Sequence, residues 1–112
     1  MSMTPERLFD ILDPYAASQG MELNSDRAFV LDILAGLLKN EGRYGYRSCP
    51  CRLASGSRER DVDIICPCAY RDADVNEYGS CYCSLYVSKD WNAGAMERRI
   101  VPERRIKKEE KG

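Results

Sequence analysis

The sequence has 112 residues, the length of one domain with a small hydrophobic core. Its 17 basic and 18 acidic side chains nearly balance, so no excess charge indicates nucleic acid or an anionic membrane as a partner. No apolar run approaches the roughly 20 residues that span a bilayer, and the start of the chain lacks the apolar region of a secretory signal. We therefore expect a cytoplasmic protein with no nucleic acid and no membrane among its partners.

The beginning of the chain predicts a helix. Thr4 is typical of an N-cap and Pro5 of a first helical position, where the missing backbone N–H costs nothing. Apolar residues then recur at helical spacing. Pro14 cannot donate a hydrogen bond to the helical ladder, so we expect it to break or kink this helix.

A second helix is predicted to begin at Asn24 or Ser25 and to end at about Asn40, before Gly42. Its residues are apolar on most sides, which predicts a central and buried position in the fold. Gly36 lies inside it. This glycine either allows another segment to pack closely or is merely tolerated, at a cost of about 1 kcal/mol.

The rest of the chain predicts short elements and loops. Residues 42–58 are rich in Gly, Ser, Arg and Pro and read as a loop. Residues 58–65 and 70–78 each predict a short helix, and the apolar run at 85–87 is compatible with a strand. Residues 102–112 carry charges of both signs, which is typical of a flexible, solvated tail.

All six cysteines fall in Cys-x-Cys pairs with 14 and then 12 residues between the pairs: Cys49-Pro50-Cys51, Cys66-Pro67-Cys68 and Cys81-Tyr82-Cys83. In an extended segment, residues two apart are about 6.6 Å apart, at the upper limit for a disulfide, and their side chains point to opposite sides. Each proline also favours an extended conformation for the cysteine before it. The two members of a pair should therefore face different surroundings.

Several kinds of site use clustered cysteines in a reducing compartment. A four-iron cluster needs four thiolates and would leave two cysteines for a disulfide. An electron-transfer protein without a disulfide substrate would leave those two unused. A zinc-stabilised binding module usually has two to four residues between paired ligands, whereas the spacer here is one. Histidine is absent, which excludes mixed Cys/His zinc sites.

The three pairs resemble the catalytic chain of ferredoxin–thioredoxin reductase, a family with two Cys-Pro-Cys pairs followed by Cys-His-Cys. The Cys-Pro-Cys-Arg run at 49–52 and the stretch at 85–90 fit the same layout, and the resemblance covers about residues 8–92. It implies a [4Fe–4S] cluster with four ligands, which are Cys49, Cys66, Cys68 and Cys81. It implies further that Cys51 and Cys83 form a redox-active disulfide, with Cys51 as the exposed nucleophile.

The fold we expect is mainly α: a single small domain, residues 1–112, of short helices and cysteine-bearing loops wrapped around an iron–sulfur cluster. The function that the resemblance implies is an oxidoreductase. Single electrons from ferredoxin, or a similar donor, would pass through the cluster to the disulfide, which reduces thioredoxin or a related disulfide protein. The resemblance also implies a possible variable-type second subunit.

Tyr82 is one departure from the family pattern, because it stands where the family has histidine. A phenol is a poorer proton shuttle near neutral pH than an imidazole, so Tyr82 either donates a hydrogen bond to a sulfur or simply packs. The gap between the second and third pairs is a further departure, since it is longer than in the family, and it is compatible with an altered partner-facing loop. Arg47 and Arg52 either favour the Cys51 thiolate or are ordinary surface arginines.

Overall fold

The structure, a computed structural model, describes residues 3–104, of which about half are helical. The described helices are α1 (Pro5–Ser18), α2 (Arg27–Tyr44), α3 (Arg58–Asp61), α4 (Arg71–Tyr78) and α5 (Lys89–Ala93), and a 3₁₀ helix (Val62–Ile64) follows α3. Two short strands, β1 (Glu22–Leu23) and β2 (Tyr86–Val87), form an antiparallel pair. The expected mainly helical character is confirmed.

Helix α1 begins as the sequence predicts. The Thr4 hydroxyl accepts a hydrogen bond from the backbone N–H of Arg7, and Pro5 occupies the first turn. Of the two effects predicted for Pro14, a break or a kink, the break is wrong, because the helix continues through it to Ser18. Pro14 and Asp10, whose carbonyl loses its helical donor, are both exposed, so water can satisfy that carbonyl.

Helix α2 begins and ends later than predicted. Its N-cap is Asp26, whose carboxylate accepts from the N–H of Phe29. Its C-cap is Gly45, in the left-handed conformation with φ 87°, so Gly42 lies inside the helix. The expectation of burial on most sides is wrong, since a single face is fully buried, through Val30, Leu34 and Leu37.

The two strands join the beginning of the chain to the third cysteine pair. Glu22 pairs with Val87 and Leu23 with Tyr86, so the link between α1 and α2 lies against the segment that follows Cys83. The buried core lies between α1, α2 and this ribbon; its largest fully buried apolar side chains are Tyr86, Leu8, Leu34, Leu37, Ile64 and Leu85.

The short elements of the second half match their predicted places. Helix α3 and the 3₁₀ helix together fill residues 58–64, and α4 lies within residues 70–78. In the predicted tail, Glu103 forms an ion pair with Arg52, and Arg104 forms one with Asp74. The remaining tail residues, 105–112, lie outside the described part of the chain. Among residues 3–104, no helix is long and apolar enough to cross a membrane.

Candidate functional site

Backbone pairing brings the first two cysteine pairs side by side. The N–H of Cys49 donates to the carbonyl of Ile64, and the N–H of Cys66 donates to the carbonyl of Arg47, both at 2.8 Å. Ser48 forms an isolated bridge with Ile65 between these two bonds. The segment leaving α2 and the segment leaving the 3₁₀ helix are thus held antiparallel at the point where each pair begins.

The third pair lies on a tight loop before β2. The N–H of Cys81 donates to Tyr86 O at 2.9 Å, and the N–H of Ser84 donates to Cys81 O at 2.9 Å. Ser84 has a positive φ of 60°, which few residues other than glycine adopt. The Asn24 side-chain amide donates to Ser84 O at 3.0 Å. Asn24, predicted as a helix cap, instead helps to fix this loop.

Gly36 allows the first pair to pack directly on α2. A Cβ atom at this position would lie 2.9 Å from Cβ of Pro50, closer than side chains tolerate. Of the two interpretations of this glycine, close packing is confirmed. The helix backbone and the Cys49-Pro50-Cys51 loop are therefore in contact without an intervening side chain.

Five of the six cysteines line one cavity of about 330 Å³, a volume that includes its solvent-open mouth; they are Cys49, Cys66, Cys68, Cys81 and Cys83. The cavity walls also carry two guanidinium groups, from Arg52 and Arg71. Cys51 is not among the lining residues, and it is the one exposed cysteine of the six. The sequence-predicted site residues are thus brought together, with one facing outward.

Three sulfur atoms form a tight group at the edge of this cavity. Sγ atoms of Cys49, Cys51 and Cys83 all lie within 4.8 Å of one another, and such a group can hold a metal ion. Sγ of Cys49 and Sγ of Cys83 are 2.7 Å apart. Hydrogen bonding with Cys49 and Cys83 lowers the pKa of Cys51 to about 4, whereas hydrogen bonding with Cys49 and Cys51 raises the pKa of Cys83. Of these three sulfurs, the exposed sulfur of Cys51 is therefore the one that ionises first.

The sulfurs deeper in the cavity are less easily ionised. Burial raises the pKa of the Cys66, Cys68 and Cys81 thiols. Two N–H donors nevertheless point at sulfur: the backbone N–H of Tyr86 is 3.3 Å from Cys81 Sγ, and Arg52 Nη1 is 3.5 Å from Cys68 Sγ. Such donors stabilise thiolates, which a bound cation would also favour.

Residues 3–110 match the family described as ferredoxin thioredoxin reductase catalytic beta chain. The match covers nearly all of the chain, beyond the range over which the motifs resemble this family. The chain belongs to this family. Comparison with curated proteins found no match. By its name, the family contains catalytic chains of a reductase that links ferredoxin and thioredoxin.

Tyr82, which stands where the family has histidine, lines the cavity beside two cysteines. Its ring packs face-on against the guanidinium of Arg52, whose central carbon is 4.4 Å from the ring centroid. That contact is a cation–π interaction, which uses the ring and leaves the hydroxyl free for other roles. The structure therefore supports packing as one function of Tyr82.

Arg52 is not an ordinary surface arginine. Its side chain is only 2% exposed, and it forms a bidentate ion pair with Glu103. Arg71 is also buried at the cavity wall, where it donates to the hydroxyl of Tyr15 at 2.9 Å and to Asp72 at 3.0 Å. Sequence analysis did not identify Arg71 or Glu103 as part of the site, because Arg71 contacts Tyr15 across 56 residues and Glu103 contacts Arg52 across 51. Arg47, in contrast, is half-exposed and pairs with Glu41.

The loop after Cys51 is anchored by a buried carboxylate that sequence analysis also missed. Asp61 is fully buried at the end of α3 and accepts from Tyr46 Oη at 2.5 Å. It also accepts from the backbone N–H and the hydroxyl of Ser55, both at 2.9 Å. Burial alone would raise the pKa of Asp61, but these hydrogen bonds outweigh it and the pKa is lowered. Asp61 therefore remains ionised and ties residues 52–57 to the fold.

Proposed function

We propose that this chain is an iron–sulfur disulfide reductase that receives single electrons from ferredoxin and reduces thioredoxin. A [4Fe–4S] cluster would be held by four cysteines, which are Cys49, Cys66, Cys68 and Cys81. Cys51 and Cys83 would form the redox-active disulfide. The observation that carries this proposal is the division of the six sulfurs between one shared cavity and one exposed position. Membership of the reductase family supports the same division of roles.

The four proposed ligand thiols suit a group larger than one metal ion. A zinc ion binds each sulfur at about 2.3 Å, so its ligand sulfurs lie about 4 Å apart. Within residues 3–104, the one trio of potential ligand atoms closer than 4.8 Å is Cys49, Cys51 and Cys83. No three of the four proposed ligands are that close together. A multi-iron cluster suits four thiols that do not converge on one point, and the N–H donors aimed at two of the sulfurs support it.

When bound, the cluster would supply electrons one at a time, while reduction of a disulfide takes two. The exchange itself belongs to the protein. In the reduced enzyme, the exposed Cys51 thiolate attacks one sulfur of the target disulfide and forms a mixed disulfide. The Cys83 sulfur then attacks Cys51, which releases the target as a dithiol and forms the Cys51–Cys83 disulfide. This second attack is intramolecular, and it is favoured because the two sulfurs lie within 4.8 Å of each other.

The family name supports the partners that we propose for this reaction. Ferredoxin, or another one-electron donor, would deliver electrons, and thioredoxin or a related disulfide protein would accept them. A variable-type second subunit would complete the enzyme. The proposal sets the reaction in the reducing cytoplasm, where free thiols are maintained.

The proposal is tested by metal analysis and thioredoxin reduction on anaerobically purified protein. We expect about four irons and four acid-labile sulfides per chain. Cys51→Ser and Cys83→Ser should keep this iron and sulfide but lose thioredoxin reduction. Cys66→Ser, the control from the proposed ligands, should lose the iron and sulfide. Loss of the cluster in the first two variants would contradict the assignment of four ligands and one disulfide.

A second candidate is a metal-stabilised binding module. The compact trio of Cys49, Cys51 and Cys83 favours it, because three such sulfurs can hold one ion. This candidate predicts a colourless protein with one zinc per chain and no sulfide. It also predicts that Cys51→Ser lowers the bound zinc, whereas Cys66→Ser leaves it unchanged.

A further inference from the structure

Arg52 occupies an unusual position for a cation, at the wall of a cavity rich in thiols. Its side chain is 2% exposed, and a guanidinium stays charged even when it is buried. A buried charge without partners is strongly destabilising, so the contacts of Arg52 are informative. They fall into three groups, around the edges and faces of the planar guanidinium.

One edge of the guanidinium faces a carboxylate. Nε of Arg52 donates to Oε2 of Glu103 at 2.7 Å, and Nη2 donates to Oε1 at 2.8 Å. Such a bidentate pair is stronger and more strictly oriented than a single ion-pair contact. Nη1 points the other way and lies 3.5 Å from Sγ of Cys68. The rings of Tyr82 and Tyr70 pack on the guanidinium, with centroids 4.4 and 5.2 Å from its central carbon.

Glu103 comes from the C-terminal segment, residues 95–104, and is 51 residues away from Arg52 in sequence. Two further contacts fix this segment: Val101 is buried, and Arg104 pairs with Asp74 and Glu77 on α4. The carboxylate is thus held by the fold, and it lies on the far side of the guanidinium from the cavity.

We infer that Arg52 and Glu103 together tune the reduction potential of the group held by the cavity cysteines, with Glu103 acting through Arg52. The inference rests on the proposed iron–sulfur function. Reduction adds negative charge, so a nearby positive charge and a hydrogen bond to a ligand sulfur both favour the reduced form. Glu103 offsets part of the Arg52 charge and thereby opposes this effect. Both are positioning residues.

Arg71 provides a contrast within the same cavity. Its guanidinium also lies at the wall, but its described hydrogen bonds run to Tyr15, Asp72 and Gln19. Among the described hydrogen bonds of the two arginines, the one to a cavity sulfur is therefore made by Arg52. For this reason the inference concerns Arg52 and its carboxylate partner.

The two residues are expected to have opposite effects. Arg52→Met removes the positive charge and the hydrogen bond to Cys68, and should shift the midpoint potential downward. Glu103→Gln leaves the Arg52 charge less compensated, and should shift the potential upward. If the pair served only to hold the C-terminal segment in place, breaking it from either side would move the potential in the same direction or not at all.

The measurement is an anaerobic redox titration of the holoprotein, followed by visible absorption, on wild type and both variants. Glu41→Gln is the matched control, since Glu41 pairs with Arg47 at the surface and the substitution changes the net charge equally. It should leave the potential at the wild-type value. Equal upward shifts in Glu41→Gln and Glu103→Gln would overturn the inference, because the effect would then be one of net charge.

The outcomes of these measurements distinguish failure of this inference from failure of the proposed function. Wild-type protein without iron and sulfide would refute the proposed function itself. A cluster-containing wild type whose two variants shift together, or do not shift, would refute the tuning role alone. If Arg52→Met does not retain its iron, Glu103→Gln decides: an upward shift relative to Glu41→Gln supports the role, and an unchanged potential overturns it.

Discussion

Cys51 and Cys81 share one sequence pattern but have opposite surroundings. Cys51 is exposed and opens into a loop in which Leu53 is 93% exposed. Cys81 is buried on a tight loop whose backbone is bonded to β2 and to Asn24. The spacing within a pair therefore sets only how far apart two sulfurs are. Packing around each pair decides which sulfur meets solvent and which faces the cavity.

The surroundings also divide the electrostatics of the site. On the outer side, contacts among Cys49, Cys51 and Cys83 favour the thiolate of Cys51. On the inner side, burial favours the neutral thiols of Cys66 and Cys81 in the absence of a cation. The outer side is thus suited to nucleophilic attack and the inner side to holding metal, which is the division that our proposal uses.

Alkylation should reveal the largest difference between the two sides. With iodoacetamide under anaerobic, reducing conditions, we expect Cys51 to be modified about tenfold faster than Cys66 or Cys81, because it is exposed and ionised. Peptide mass spectrometry at successive times measures the rates. Cys51→Ser should remove the fast phase. Modification of Cys66 at the same rate as Cys51 would show that the inner side is open to solvent.

Loss of the Asp61 hydrogen bonds should destabilise the loop that follows Cys51, on the outer side of the site. Both carboxylate oxygens of Asp61 accept hydrogen bonds, from Tyr46 and Ser55. Asp61→Asn keeps only one side-chain oxygen as an acceptor for these donors. We expect a loss of about 2 kcal/mol in the free energy of unfolding, measured by urea denaturation. Asp32→Asn, at an exposed position of α2, is the control and should change it by less than about 0.5 kcal/mol. Equal effects of both substitutions would argue against an anchor.

The close contact at Gly36 allows a smaller and more local test. Gly36→Ala should destabilise the protein by about 1 kcal/mol, because the new Cβ overlaps Pro50 and displaces the first cysteine pair. Gly42→Ala adds the same methyl group to the same helix where nothing lies within 4 Å. It should stabilise by roughly 0.5–1 kcal/mol. Thermal unfolding of the two variants gives the comparison, and shifts of the same sign would contradict it.

The local features of this protein could be predicted from its sequence. The caps and periodicity of α1, the short helices after residue 58 and the three cysteine pairs depend on neighbouring residues, so they could be predicted. The order of the three cysteine motifs also indicated the family. The same local reasoning failed to predict that the helix continues through Pro14, where the carbonyl of Asp10 loses its helical donor at an exposed position that water can reach.

The groups that surround the cysteines could not be predicted, because they depend on tertiary packing. Glu103 reaches Arg52 from 51 residues away, Asn24 supports a loop 60 residues further on, and Asp61 is buried against Ser55 and Tyr46. None of these residues has a neighbour in sequence that indicates its role. Their positions follow from how the helices and the strand pair pack, and the burial and charge at each sulfur depend on that packing.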